Sequence, residues 1–205
     1  MTTTAVPTAA TRRARGRALR DVVGRSTHAE WQAGAGRRDP VELLLGTNEG
    51  RMPALIPVRF GRMAASPFAF YRGAAALMAA DLADDPHTGL LVAACGDAHV
   101  SNFGFYASRT RSLMFDLNDF DESAWAPWEW DLKRLVASVV IGARHSGRSE
   151  RVTDQATIGA VMSYRHVLNE AMTASPTQRF FSHFDAEAGM GRLKGDSKRV
   201  LGAAI

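Results

Sequence analysis

Two short apolar runs, Leu90 to Cys95 and Leu113 to Leu117, each run straight into a group of polar and acidic residues. The first leads into Gly96-Asp97-Ala98-His99-Val100-Ser101-Asn102, the second into Asn118-Asp119-Phe120-Asp121-Glu122. Seven of the 21 acidic residues fall between Asp97 and Asp131. An unpaired carboxylate is costly to bury. Runs this short and apolar therefore read as strands whose ends carry acids to a shared cation or to an exposed loop. Asn102 to Tyr106 and Leu113 to Leu117, around the polar turn Ser108 to Ser112, read as a hairpin.

Helical patterns flank this unit. Leu132, Leu135, Val136, Val139, Val140 and Ala143 recur at the spacing of one helix face. A further helix is predicted over 152–173. Asp39-Pro40 and Ser66-Pro67 are helix starts, a capping side chain followed by proline at the first helical position. The first opens a short helix and the second a helix over 67–83. Gly46 to Pro57 reads as turns, and Pro176 ends the long helix and opens a short one. The fold class is α+β, mainly helical, with a small strand unit.

The 205 residues carry a net charge of +4, unevenly spread. Residues 1–40 hold eight arginines against three acids, so the rest of the chain is slightly acidic. Residues 1–36 are read as a flexible basic arm with a helix around 17–32, residues 37–188 as the folded domain and 189–205 as a disordered tail. The single cysteine, Cys95, excludes a disulfide framework. No apolar run is long enough to cross a bilayer. The protein is expected to be cytoplasmic, with no membrane partner and with nucleic acid contacted at most by the arm.

The chemistry centres on the two strand ends. Asp97 is a base for a hydroxyl proton, and Asn102 and Asp119 offer hard oxygens to Mg²⁺, which completes its shell with substrate phosphates. The spacing Asp97-x-x-x-x-Asn102 is that of a kinase catalytic loop. Gly96-Asp97-Ala98-His99-x-x-Asn102 resembles the loop of aminoglycoside phosphotransferases, choline kinases and their kinase-like relatives, and Asn118-Asp119-Phe120-Asp121 resembles their metal-binding segment. Trp130-Asp131-Leu132 resembles the later Asp-Leu that opens a helix and braces the loop. Five blocks in order, from Arg59-Phe60-Gly61-Arg62-Met63 through Ser66–Gly73, the Gly96 loop and Asn118–Glu122 to Trp130–Leu135, resemble the bacterial domain-of-unknown-function family 2252.

The kinase-like resemblance implies a helical C-terminal lobe and a Mg²⁺-dependent phosphotransferase acting on a small hydroxylated or amine substrate, with ATP as co-substrate. By it, Asp97 is catalytic; Asn102, Asp119 and Asp121 hold the metal; and His99 and Asp131 support the loop. Arg72 is a phosphate clamp or the partner of Asp84 or Asp85. The nucleotide site is not identified: no glycine-rich phosphate loop follows a strand, and the three lysines are Lys133, Lys194 and Lys198. The family resemblance implies a longer protein, with a glycine-rich, lysine-bearing segment beyond this region.

Two other readings stay open. A pseudo-kinase or binding module would use the same polar cluster only to knit the fold. A metal-dependent phosphohydrolase would use Asp97-x-His99, but the other histidines are scattered. Trp125, Trp128 and Trp130 are read as core packing or as the floor of a cleft. Cys95 is read as an inert buried thiol.

Overall fold

Proline behind a side-chain cap starts three of the helices. Asp39 accepts from the amides of Val41 and Glu42 at the head of α2 (Pro40–Gly46), and Ser66 accepts from Ala69 at the head of α4 (Pro67–Arg72). Ser175 forms a capping box with Gln178 ahead of α8 (Pro176–Phe180). In each case the cap satisfies an amide that the first helical turn leaves free. The computed structural model describes residues 7–109 and 111–182. The tail expected over 189–205, with Lys194 and Lys198, lies outside the described residues.

The remaining helices are α1 (Ala9–Val22), α3 (Ile56–Met63), α5 (Ala75–Leu82), α6 (Trp128–His145) and α7 (Glu150–Thr173). Two antiparallel pairs make the strands. β1 (Leu91–Ala94) pairs with β4 (Ala124–Pro127), and β2 (Phe103–Ala107) pairs with β3 (Leu113–Leu117). Their registers set Ala94 opposite Ala124 and Phe103 opposite Leu117. The chain is thus mixed α+β and mainly helical, with two small sheets.

Three expectations need correction, and one strand was not foreseen. The helix over 67–83 is two helices, broken at Gly73 and Ala74. The carbonyls at the break are taken by two arginines, one buried and one half-buried: Arg134 Nη2 donates to Tyr71 O at 2.6 Å and Arg59 Nη2 to Gly73 O at 3.0 Å. A Cβ at Gly73 would stand 2.7 Å from Met63, so the backbone there approaches the cluster of Leu44, Met63 and Ala74 closely. The helix expected around 17–32 lies earlier, as α1, and is followed by a 3₁₀ turn over Ser26–Ala29. Pro53 and Pro57, read as loop punctuation, sit in the first turns of a 3₁₀ helix and of α3. Finally, β4 has no alternating apolar pattern, and only its pairing with β1 defines it as a strand.

The long pair α6 and α7 backs the strand unit. After the turn at Gly147 (φ +65°), α7 folds back along α6, and the Trp128 ring stacks on Tyr164 at 6.1 Å. Ser138 and Thr153 are fully buried. Just after the arm, Arg37 ties the chain to α5 by holding Asp81 through two bonds of 2.6 and 2.8 Å.

Candidate functional site

The turn after β1 carries the central residues. Gly96 adopts φ +83°, and a side chain there would run into the backbone carbonyl of Glu122. Asp131, in the first turn of α6, accepts from the amides of Cys95 (2.7 Å) and Gly96 (3.0 Å) and so clamps the turn. Buried Ser138 accepts from the Val100 amide at 3.0 Å. Asn102 closes the loop by donating Nδ2 to Asp97 O at 2.8 Å, and its own carbonyl accepts from the Asn118 amide at 2.9 Å. The two loops are therefore joined backbone to backbone. A bond from Nδ2 to a carbonyl also fixes the orientation of the Asn102 amide and leaves its Oδ1 as the free end.

Asp97 is buried and faces Arg134, whose Nε and Nη2 both reach Oδ1, at 2.7 and 2.6 Å. Its Oδ2 lies 3.5 Å from His99 Nε2. Burial pushes the His99 pKa down, opposed by Asp97 and aided by Arg134 and Arg72. Burial thus favours the neutral imidazole, and its buried Nδ1 has no hydrogen-bond partner among the described residues. Asp119 accepts the Asp121 amide at Oδ1 (3.1 Å). Cys95 is buried, its thiol pKa raised by that burial, and its Sγ points to Asp119 O at 3.4 Å.

Asp97, His99, Asn102 and Asp119 line one cavity of about 730 Å³. Asp121 is not among its lining residues; Glu122 is. Burial, followed by the charges of Asp97, Asp119 and Asp121, raises the Glu122 pKa. The same cavity is lined by Arg51, Arg59, Arg62 and Arg72. Arg72 does not pair with Asp85, which instead binds Lys133 at 2.7 Å.

Sequence reasoning had missed Glu122, Arg51, Arg59, Arg62 and Arg134 as members of this site. The available signal for Arg59 and Arg62 was the block they share with the family, but nothing local says which way they face. Trp125, Trp128 and Trp130 do not line the cavity. Trp125 is 76% exposed, and Trp128 donates Nε1 to Thr88 at 3.0 Å.

Among the described residues no group of three His, Cys, Asp or Glu side chains is arranged to hold a metal ion. Of the expected ligands, Asn102 and Asp119 line the cavity, which the Glu122 carboxyl also lines. Such a pair suits Mg²⁺, which binds through one or two carboxylate-type ligands and draws the rest from water and phosphate. It does not suit a metal that requires a complete protein cage.

No helix of the described residues is long and apolar enough to cross a membrane. No curated protein and no solved structure matches the chain. Residues 51–204 match the family described as an uncharacterised protein conserved in bacteria, DUF2252, and the chain belongs to that family.

Proposed function

We propose that the cavity is a phosphoryl-transfer site and the chain a Mg²⁺-dependent phosphotransferase of the kinase-like kind. Its substrate would be a small hydroxylated or amine molecule and its donor ATP. The observation that carries the reading is the meeting of Asp97, Asn102 and Asp119 in one cavity that four arginines also line. Phosphoryl transfer relies on positioning and charge stabilisation more than on covalent chemistry, and such a cavity supplies both.

Arg134 occupies Asp97 Oδ1 and orients the carboxylate, so Oδ2 is the oxygen that accepts the acceptor's proton. That proton leaves as the acceptor oxygen or nitrogen bonds to phosphorus and the donor's bridging oxygen departs with the diphosphate. Asn102 Oδ1 and Asp119 would hold Mg²⁺, which when bound neutralises charge on the phosphate oxygens. His99, neutral and packed against Asp97, keeps the carboxylate in place and is not the base. Asp131 holds the turn that presents Asp97.

A second reading, a binding module without chemistry, is favoured by the deep pairing of Asp97 with Arg134. The phosphohydrolase reading has little support, because His99 is the one histidine lining the cavity among the described residues.

The test is calorimetric titration of the protein with ATP, with and without Mg²⁺, beside Asp119→Ala. It is followed by a ³¹P NMR screen of small alcohols and amines. Magnesium-dependent binding lost in the variant, with transfer to an acceptor, is the expected result. Binding without transfer to any acceptor favours the module. No magnesium-dependent binding by the folded wild-type protein overturns the proposal.

A further inference from the structure

Four guanidinium groups line the cavity that also holds Asp97 and Asp119. Arg51 precedes α3, Arg59 and Arg62 lie on α3, and Arg72 ends α4. Two of the four are fixed by neutral partners. Arg59 donates to Asn48 Oδ1 at 3.1 Å and to Gly73 O at 3.0 Å, and Arg51 donates Nε to Thr47 O at 3.0 Å. Arg62 and Arg72 donate no hydrogen bond and form no ion pair among the described residues.

Four positive groups therefore line one cavity with no carboxylate bonded to any of them. Burial, and then the neighbouring Arg51, lower the Arg59 pKa, opposed by Glu122. An anion entering between them relieves the repulsion. Lys133, the one lysine among the described residues, is bound to Asp85.

The shape of the charge narrows the ligand class. A single carboxylate would satisfy one guanidinium fork and leave the others unmatched. A chain of phosphates offers several oxygens to planar forks, which bind phosphate in two-point fashion. Asn102 and Asp119, which line the same cavity, would hold a divalent cation that offsets the charge of such a chain.

We propose that Arg62 and Arg72, flanked by Arg51 and Arg59, form a polyphosphate-binding wall that takes the di- or triphosphate chain of the phosphoryl donor. The term donor rests on the phosphoryl-transfer reading above; the binding of a polyphosphate chain does not.

The test titrates the protein with sodium tripolyphosphate and, in parallel, with ATP, both in EDTA and 0.15 M NaCl. Three proteins are compared: wild type, Arg62→Ala/Arg72→Ala, and Arg13→Ala/Arg17→Ala in α1. The last removes the same charge from the basic arm and reports non-specific attraction. Arg62 and Arg72 are exposed and unpartnered, so their double variant is expected to melt with the wild type, which circular dichroism checks. The cleft variant is expected to weaken tripolyphosphate binding about 100-fold, as two charge-assisted contacts imply.

A loss below about tenfold, a loss equal to that in the arm variant, or no binding by the wild type overturns the proposal. If ATP binds more tightly than tripolyphosphate the donor is a nucleotide; if it does not, an inorganic polyphosphate fills the same wall. Metal-free tripolyphosphate binding with no magnesium-dependent step overturns phosphoryl transfer alone. Magnesium-dependent transfer that survives Arg62→Ala/Arg72→Ala overturns the wall alone.

Discussion

Arg134 holds Asp97 by a single carboxylate oxygen, with Nε at 2.7 Å and Nη2 at 2.6 Å from Oδ1, and both side chains are almost completely buried. The same guanidinium lies 4.0 Å from the centre of the Tyr71 ring and donates to the Tyr71 carbonyl. The Tyr71 hydroxyl returns a bond to Arg134 O at 2.8 Å, and burial pushes its pKa up to about 12. One arginine thus ties α4 and α6 to the loop that carries Asp97.

Removing that arginine leaves a buried charge without a partner. Arg134→Met is expected to cost about 3–5 kcal/mol of stability. Arg134→Met with Asp97→Asn should recover part of the loss, because the stranded charge is gone. Urea unfolding of wild type, both single variants and the double variant checks this. An additive double variant would mean that the pair is not coupled.

The turn after β1 depends on Asp131 and on Gly96. Each amide orphaned by Asp131→Ala costs about 1–3 kcal/mol, so losing both bonds should lower stability by at least about 2 kcal/mol. Gly96→Ala adds a side chain at φ +83°, a penalty of about 1–2 kcal/mol before its clash with the Glu122 carbonyl. Faster amide exchange at Cys95 and Gly96 in Asp131→Ala would locate the damage.

Glu122 carries a raised pKa, mainly through burial and then through three neighbouring aspartates. A carboxyl whose folded pKa lies above its unfolded one helps the fold at low pH. That help is lost as the pH rises through the folded value. Glu122→Gln should therefore melt higher than wild type at pH 7, with the gap closing as the pH falls below the carboxylate range. A gap that widens on acidification would contradict the assignment. Added Mg²⁺ should shrink the gap at pH 7 if the cation settles among these acids.

His99 behaves with the opposite sign. Its folded pKa lies below the ordinary 6.5, mainly through burial, so its contribution is complete above that value. It is lost as the pH falls through the depressed folded value, because the unfolded chain takes up the proton first. Wild type should lose more melting temperature between pH 7.5 and 5.5 than His99→Gln does. Parallel curves for the two proteins would show that His99 does not carry this dependence.

Much of the framework is local and can be read from the chain alone. Asp39, Ser66 and Ser175 cap helices because a short oxygen-bearing side chain and a following proline suit the first turn whatever lies around it. The apolar stripe from Leu132 to Ala143 specifies α6. The apolar runs before Asp97 and Asn118 specify β1 and β3. The spacing of Asp97 and Asn102 on one loop, and of Asp119 on the next, is likewise written in the order of residues.

Tertiary contacts decided the rest. β4 exists through its ladder with β1, across more than thirty residues. The break at Gly73 follows from the approach of Met63 and from arginines that capture the carbonyls there. Glu122 reaches the cavity where Asp121 does not, although the two are adjacent in the chain. Arg134 belongs to Asp97 although 37 positions separate them. A charged side chain's partner depends on which elements the folded core brings together, and periodicity and capping encode only what neighbouring residues do to one another.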